Sequence, residues 1–555
     1  MLMTWNFLGL FLSFLILTIS LLLYSGLSFY VYPFVVAIYG GGVLLAALNK
    51  RKLAFGLLLF VFVVVLSAQV ASLYNSGSLV SSLLLMNLGE TTSVDDRVIL
   101  TSALVITSYF FCVFIFLIYR PMRVMVSKKI YLPVLFLYVG LEVYGCFLPS
   151  AGVFPIWAFG KALHQCLKEM SYQPTEREVL VQKVLYGKDF VYQNSDDESV
   201  PDLRNKNIVV LFTEGFTFNI IDKFSGYSLL TPNLSRLMDK SLWFDNYFNH
   251  TAATYRGLRG QMSSSYQLKG GLWYGVSEVG ALENKLKSPI VNLSSILQDN
   301  GYHTYFLSAH KRDDNLNRYL ETFGFDKVFT AADFKKDEGE LSDKELFEGL
   351  YRLMVSGELK EPYFIGIYNL GTHLGQKSPD AFYTQNGEEI NDLLSVIHNF
   401  DIMFGRFLDN FDTNDELRAN TALIVTADHA TFPDNLYKAT FERDISCQFC
   451  LLERIPLILY ADGVKAKRVD AGGKNSLDFA PTLLQWVRIN KAHNYFLGCS
   501  LYDKKCAYPF EYVYVEGEAF YYTKGEQLRS ENAKDYDIMK KIRGFYALSE
   551  HNERE

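Results

Sequence analysis

The sequence predicts an N-terminal bundle of about five transmembrane helices, followed by an α/β domain with a mainly parallel central sheet. Three observations lead there. From Phe7 to Pro149 the chain is mostly Leu, Val, Phe, Ile, Ala and Tyr. After Gln173 it becomes an ordinary mixture of charged and apolar residues. In that second part, short apolar runs that read as buried strands alternate with helix-like segments.

A span needs about 20 mostly apolar residues. Five stretches qualify: 6–24, 30–48, 53–74, 98–119 and 131–149. Their centres carry no Asp, Glu, Lys or Arg except Glu142. A carboxylate in lipid is costly, so Glu142 is either functional or close to the outer end of its span, facing a wet groove. The first span has no basic n-region and no clear small-residue cleavage site, unlike a cleaved signal. Lys50, Arg51 and Lys52 lie between spans two and three, and Arg120, Arg123, Lys128 and Lys129 between spans four and five. The loop between spans three and four carries Glu90, Asp95 and Asp96 instead. Basic loops stay in the cytoplasm, so the N-terminus is expected inside and everything after Pro149 outside. In a bacterium this is a multi-pass protein of the cytoplasmic membrane.

The expected organisation is a membrane part over 1–150, a connection over 151–206, a catalytic domain over 207–530 and a charged tail over 531–555. In the connection, 156–170 mixes Trp157, Phe159, Leu163 and Leu167 with Lys161, His164 and Lys168, as in a helix lying on a membrane surface. Residues 193–207, with Ser195-Asp196-Asp197-Glu198-Ser199, read as a polar linker.

The formal net charge is −7 and no long basic run is present, which argues against a nucleic-acid partner. Of seven cysteines, Cys112 and Cys146 fall in apolar spans and Cys166 in the connection. Cys447 and Cys450 form one close pair, Cys499 and Cys506 another. In an oxidising compartment each pair is a disulfide candidate, and a structural zinc site is the alternative.

The α/β domain opens with Ile208-Val209-Val210-Leu211-Phe212, a run typical of a buried parallel strand, ending in Thr213-Glu214-Gly215. A second run, Thr421–Thr426, is followed by Ala427-Asp428-His429. Segment 293–300 reads as a helix and 304–307 as a strand. Ligands of such sheets bind beyond the carboxyl ends of the strands, where Glu214, Asp428 and His429 project. Two carboxylates and an imidazole suit a divalent cation, zinc or manganese, with magnesium as an alternative. Such an ion polarises a phosphoryl oxygen and activates a bound hydroxyl.

Several segments then resemble, in order, the sulfatase-type branch of the alkaline phosphatase superfamily. They are 207–215, Thr231-Pro232-Asn233-Leu234, Phe244-Asp245-Asn246-Tyr247-Phe248, His250-Thr251-Ala252-Ala253-Thr254 and Thr426-Ala427-Asp428-His429. Arg454-Ile455-Pro456-Leu457 and 478–484 resemble that branch's closing segments. With the spans in front, the chain is similar to the lipoteichoic acid synthases and the phosphoethanolamine transferases. The resemblance implies an alkaline-phosphatase-like fold and a metal held by Glu214, Asp428 and His429, with Thr251 as fourth ligand and nucleophile. Thr254, in the same loop, is the rival hydroxyl. True sulfatases carry a modified Cys or Ser at the nucleophile position. His373, in Asn369-Leu370-Gly371-Thr372-His373, matches a histidine that touches the substrate phosphate, or else caps a strand end. His310 resembles a second pocket histidine. Arg256 and Arg259 either hold phosphate oxygens or are solvated helix residues, and Arg318 is a weaker candidate of the same kind.

The implied reaction takes a head-group phosphate ester from a membrane phospholipid to a hydroxyl of an envelope glycan, through a phosphothreonine, with His373 or His310 as acid/base partner. Two departures bear on the head group. Lipid A phosphoethanolamine transferases show Gly-Glu-Thr or Gly-Glu-Ser and then Arg where this chain has Thr213-Glu214-Gly215-Phe216. Lipoteichoic acid synthases show a Gly-rich, Lys-containing segment where it has Ala252-Ala253-Thr254-Tyr255-Arg256, and their Trp and Arg for phosphoglycerol lack a clean counterpart near Asp313–Arg318. The cysteine pairs point to a disulfide-forming periplasm, which favours phosphoethanolamine transfer to lipopolysaccharide core over phosphoglycerol transfer. A membrane-anchored phosphodiesterase or sulfatase-like hydrolase and a catalytically silent envelope scaffold are the competing classes. A transporter fits less well, because the spans show neither repeats nor Gly/Pro-broken helices.

Overall fold

The structure is a computed structural model that describes, principally, residues 2–24, 30–38, 52–76, 96–118, 154–171, most of 200–503 apart from 265–290 and 442–451, and three strands between 512 and 531. The chain divides into two compact units, one of residues 1–171 with 433–446, the other of 172–432 with 447–555.

The first unit is helical. Helices α1 (Trp5–Tyr24), α2 (Lys52–Ser76) and α3 (Asp96–Ile118) are apolar on every face, as expected of helices that need no polar side. They pack through Phe14, Leu66, Val70 and Tyr109, with the Phe14 and Tyr109 rings 5.2 Å apart. The few polar side chains bond to one another across helices: Thr18 to Tyr109, and Thr101 to Asn75 at 2.7 Å. Among the described residues one helical stretch, Gly56–Asn75, is long and apolar enough to cross a membrane, while Leu10–Leu23 and Ile99–Phe114 are shorter. Of the second expected span, 31–38 is helical where described. The fifth span with Glu142, and linker residues 193–199, lie outside the described residues. Helix α4 (Pro155–Ser171) covers the expected surface helix. It buries Ala158, Ala162 and Cys166 and exposes Trp157, Leu163 and Leu167. Gln69 of α2 holds its start, donating to the Pro155 carbonyl at 2.6 Å.

The second unit is built on an eight-stranded sheet. In chain order its strands are β1 (Asn207–Thr213), β2 (Leu242–Asp245), β3 (His303–Ser308), β4 (Lys327–Phe329), β5 (Tyr363–Tyr368), β6 (Thr421–Ala427), β7 (Leu457–Tyr460) and β8 (Lys467–Asp470). The spatial order is β8-β2-β7-β6-β1-β5-β3-β4. Every pairing is parallel except the two made by β7. All residues of β1, β5 and β6 are buried, which is why these strands read as unbroken apolar runs. Connecting helices include α5 (Pro232–Asp239), α6 (Thr254–Ser263), α7 (Leu293–Asp299), α8 (Asn315–Glu321), α9 (Asp343–Ser356), α10 (Asp392–Thr413) and α11 (Phe479–Trp486). Helix α10 lines up Phe400, Phe404, Phe407 and Phe411 at helical spacing, and the first three ring-pack with Phe347 of α9. A separate three-stranded antiparallel sheet spans Tyr512–Glu516, Ala519–Lys524 and Gln527–Glu531.

Gly366, in the middle of β5, leaves room for Phe306 of β3 and Phe212 of β1, whose rings stack 6.2 Å apart. A Cβ there would lie 2.6 Å from the Phe306 ring. Gly366→Ala is therefore expected to destabilise the domain by about 1–3 kcal/mol through overpacking, read as a lower thermal unfolding midpoint. An unchanged midpoint would mean that the two rings move aside freely.

Candidate metal centre and active site

Register places the site. Strands β1 and β6 run parallel with Thr213 opposite Ala427, so the next residue of each, Glu214 and Asp428, emerges at the same level of the sheet. Strand β5 ends beside them, with Tyr368 opposite Phe212 and Asn369 following it, and β3 ends one strand further out, with Ser308 opposite Tyr368. Four adjacent strand ends thus deliver Glu214, Asp428 with His429, the loop from Asn369 to His373, and His310. Gly215 turns the chain immediately after Glu214 at φ +54°, a left-handed conformation that favours glycine. Its N–H donates to Asp428 Oδ1 at 2.9 Å, and the N–H of Phe216 to the His429 carbonyl at 3.0 Å. These bonds tie the two strand exits together.

Glu214, Asp428 and His429 are all buried, and one ligand atom from each lies within 4.8 Å of the others. His429 Nε2 is 3.6 Å from Glu214 Oε1 and 3.5 Å from Asp428 Oδ2. His429 Nδ1 faces the Ala430 carbonyl at 2.7 Å. A carbonyl only accepts, so Nδ1 carries the proton and Nε2 presents a lone pair to the carboxylates. Asp428 Oδ2 is buried without a hydrogen-bond donor among the described residues. Burial pushes the Asp428 carboxyl far up, and the Glu214 charge adds to it. Burial also raises Glu214, but the His429 and His373 rings and the Tyr368 hydroxyl outweigh it and leave the group low. Burying each unpaired charge costs several kcal/mol. A divalent cation removes that cost by taking up the orphaned oxygen, the second carboxylate and the bare imidazole nitrogen together. The donor set therefore fits zinc or manganese with an open fourth position.

The loop bearing Thr251 is clamped from three sides. Asn246 turns the chain at φ +53°. Asn249 Nδ2 donates to the Thr251 carbonyl at 2.7 Å, and the His250 N–H donates to Ser476 Oγ at 3.0 Å. Arg454 donates to Asp245 and Asn219, holding the preceding segment. Thr251 itself is buried. Thr254, the first residue of α6, donates its hydroxyl to Glu214 Oε2 at 3.1 Å. Helix α6 reaches this position through two glycines. A Cβ at Gly257 would collide with the Asp428 carbonyl, and one at Gly260 with the His250 ring. Arg256 on α6 is buried and Arg259 half-buried.

On the other side, the Tyr368 hydroxyl donates to Glu214 Oε2, and the Tyr368 ring stacks on His310 with centroids 5.8 Å apart. His310 Nδ1 is 3.1 Å from Glu340 Oε1 and 3.5 Å from Asp314 Oδ2. Burial pulls the His310 ring down, and these two carboxylates outweigh it and keep the imidazolium favoured. His373 is half-buried, with Nδ1 donating to the Leu374 carbonyl at 3.0 Å, and it is an electrostatic neighbour of Glu214 and His429. Arg318 is half-buried on α8, beside Tyr319, whose hydroxyl donates to the Tyr255 carbonyl of α6 at 3.0 Å. Cys499 is disulfide-bonded. Cys447, Cys450 and Cys506 lie outside the described residues.

Sequence reasoning did not single out Tyr368, Asn369, Thr372 or Asp343. Asn369 and Thr372 hold the main chain of Glu214, through its N–H at 3.0 Å and its carbonyl at 2.6 Å. Both belong to the Asn369–His373 segment, and polar residues directly after an apolar strand were the available signal.

The sulfatase family profile matches residues 206–489, just over half of the chain. Lipoteichoic acid synthase 2 of Bacillus subtilis is 22% identical over 318 residues, covering 54% of this chain and 48% of that protein. A lipoteichoic acid synthase-like protein of the same organism is 22% identical over 375 residues, covering 62% of this chain and 58% of its own. The chain thus spans about half the length of the curated relatives it matches. Among solved structures, a protein of the alkaline phosphatase superfamily from Vibrio parahaemolyticus is 18% identical with a TM-score of 0.49, covering 70% of this chain and 98% of that chain.

Because Gly257 lets α6 rest on the Asp428 backbone, Gly257→Ala is expected to push the helix away from the ligand cluster. Divalent-ion affinity should fall by about 10–100-fold, the range for lost supporting contacts, in titrations of chelator-stripped protein. Affinity equal to wild type would show that the contact is dispensable.

Proposed function

The chain belongs to the sulfatase family, and on that premise we propose that it moves the phosphate-ester head group of a membrane phospholipid to a hydroxyl of a cell-envelope glycan, through a covalent intermediate on Thr251. The observation that carries this reading is the buried cluster of Glu214, Asp428 and His429, with an Asp428 oxygen that has no hydrogen-bond donor among the described residues. The intact cluster speaks against a silent scaffold, and the threonine at position 251 against a true sulfatase.

Glu214, Asp428 and His429 hold the cation in this proposal, with Thr251 as the fourth ligand implied by the motif. When bound, the ion supplies Lewis-acid polarisation of a phosphoryl oxygen and a lowered pKa for a hydroxyl it contacts. Thr251 Oγ, its proton first lost to solvent, attacks phosphorus, a new P–O bond forms, and the P–O bond to diacylglycerol breaks. The lipid oxygen leaves with a proton, for which His310, kept protonated by Glu340 and Asp314, is the donor. The acceptor hydroxyl then attacks phosphorus, the bond to Thr251 breaks, and His373 or His310 takes the acceptor's proton. Arg256, Arg259 and Arg318 are the candidate holders of phosphoryl oxygens. The apolar helices α1, α2 and α3 support a membrane anchor, and the basic residues Lys50, Arg51, Lys52, Arg120, Arg123, Lys128 and Lys129 between the expected spans support a catalytic domain outside the cytoplasm. Such an anchor keeps the enzyme in the bilayer that contains its donor.

Phosphoethanolamine is the favoured head group, on the ground that the paired cysteines Cys447/Cys450 and Cys499/Cys506 suit a disulfide-forming periplasm. The names of the Bacillus subtilis relatives support a second reading, phosphoglycerol transfer of the lipoteichoic acid synthase type.

Intact mass of the full-length protein after incubation with phosphatidylethanolamine or phosphatidylglycerol tests the proposal. The expected result is a phosphoethanolamine adduct on wild type and on Thr254→Ala, absent from Thr251→Ala and from chelator-treated protein. Loss of the adduct in Thr254→Ala alone would transfer the nucleophile's role to that residue. A phosphoglycerol adduct would select the second reading. Metal-loaded protein that forms no adduct with either lipid would overturn the transferase reading in favour of hydrolysis.

A further inference from the structure

Asp343 is a buried carboxylate, 2% exposed, that the reaction above does not use. It is the first residue of α9, behind a capping box of Ser342 and Glu345, so the helix N-terminus favours its charge. Its side chain turns inward instead of toward water. Asn369 Nδ2 donates to Oδ1 at 3.2 Å and Asn399 Nδ2 to Oδ2 at 3.3 Å. The backbone N–H of Gly371 donates to the same carboxylate. The chain passes so close that a Cβ on Gly371 would collide with it.

Asn369 is what links this carboxylate to the metal centre. With its Nδ2 committed to Asp343 and to Thr372 Oγ1 at 3.2 Å, its Oδ1 must face the other way. There it accepts the N–H of Glu214 at 3.0 Å, while Thr372 Oγ1 donates to the Glu214 carbonyl at 2.6 Å. An amide turned by half a revolution would put its NH2 against the Glu214 N–H. Three donors surround Asp343, so an acceptor on both of its oxygens is required, and an Asn at 343 would offer N–H to N–H. We propose that Asp343 is a positioning residue that sets the orientation of the Asn369 amide, and through it the Glu214 main chain and the loop carrying His373. It touches neither metal nor substrate. Burial raises its carboxyl to about 6, against the pull of Asn369, Asn399 and Gly371, so it still carries charge at neutral pH.

This assignment rests on the cation site of the proposed function and is independent of which head group is moved. The test titrates Zn2+ and Mn2+ into full-length, chelator-stripped protein, with bound ion counted by elemental analysis. Asp343→Asn is expected to weaken affinity by about 10–100-fold, as removal of a ligand-orienting partner does. Asn369→Ala should weaken it comparably, and the double variant should bind no worse than Asn369→Ala alone, because one residue acts through the other. The melting temperature of the metal-free protein should not follow the affinity loss. Wild-type affinity in Asp343→Asn, or a double variant that loses the sum of both effects, would overturn the assignment alone. A wild type that binds neither ion would overturn the cation site itself. Should Asp343→Asn fail to fold, Asn399→Ala removes one of the three donors and keeps the carboxylate; a several-fold weakening supports the assignment and unchanged affinity overturns it.

Discussion

Two carboxylates and an imidazole held out of water at the ends of neighbouring parallel strands govern the architecture of the α/β domain. The pairing of Thr213 with Ala427 brings Glu214 and Asp428 to one level, and burial then turns their proximity into an electrostatic problem. Surface carboxylates this close would be separated by water and cost little. Here the Tyr368 hydroxyl and the Gly215 N–H relieve part of the charge, and one Asp428 oxygen is left over. That remainder is what a divalent ion answers, and it gives the cluster a chemical purpose beyond stability.

Close approach around this cluster is achieved by small residues and by side-chain amides. Gly257 and Gly260 let α6 lie on Asp428 and His250, and Gly371 lets the Asn369–His373 loop cross Asp343. Asn249 links the Thr251 carbonyl to the Glu453 N–H, and Asn369 links Glu214 to Asp343. An amide is suited to this, having a donor and an acceptor at fixed separation. The result is a site whose candidate metal ligands and hydroxyl-bearing residues come from different elements.

The helical unit follows another logic. Its helices are apolar all round, so their sequence specifies an apolar environment and says little about which face meets which. The few polar groups, Thr18, Gln69, Asn75 and Tyr109, supply directional contacts between elements. Helix α4 differs, mixing charged and apolar residues and exposing Trp157, Leu163 and Leu167.

Much of the domain was legible in the sequence because buried parallel strands leave a simple mark. Strands β1 and β6 appeared as unbroken apolar runs, and the ligand candidates stood directly after them. The helix at Leu293–Asp299 and the strand at His303–Ser308 were equally plain, since capping and periodicity are local properties. The family motifs carried the order of these pieces. Strand order, and hence the meeting of His310, Tyr368, Glu214 and Asp428 across four neighbouring strands, depends on contacts between residues far apart in the chain, such as Ser308 with Tyr368 and Gly215 with Asp428, and no local pattern encodes it. Asp343 shows the limit most clearly. By sequence it is an ordinary acidic residue at a helix start, where the helix dipole alone explains it. Only the tertiary structure, by burying it among three donors next to the strand end that follows Tyr368, makes it part of the site.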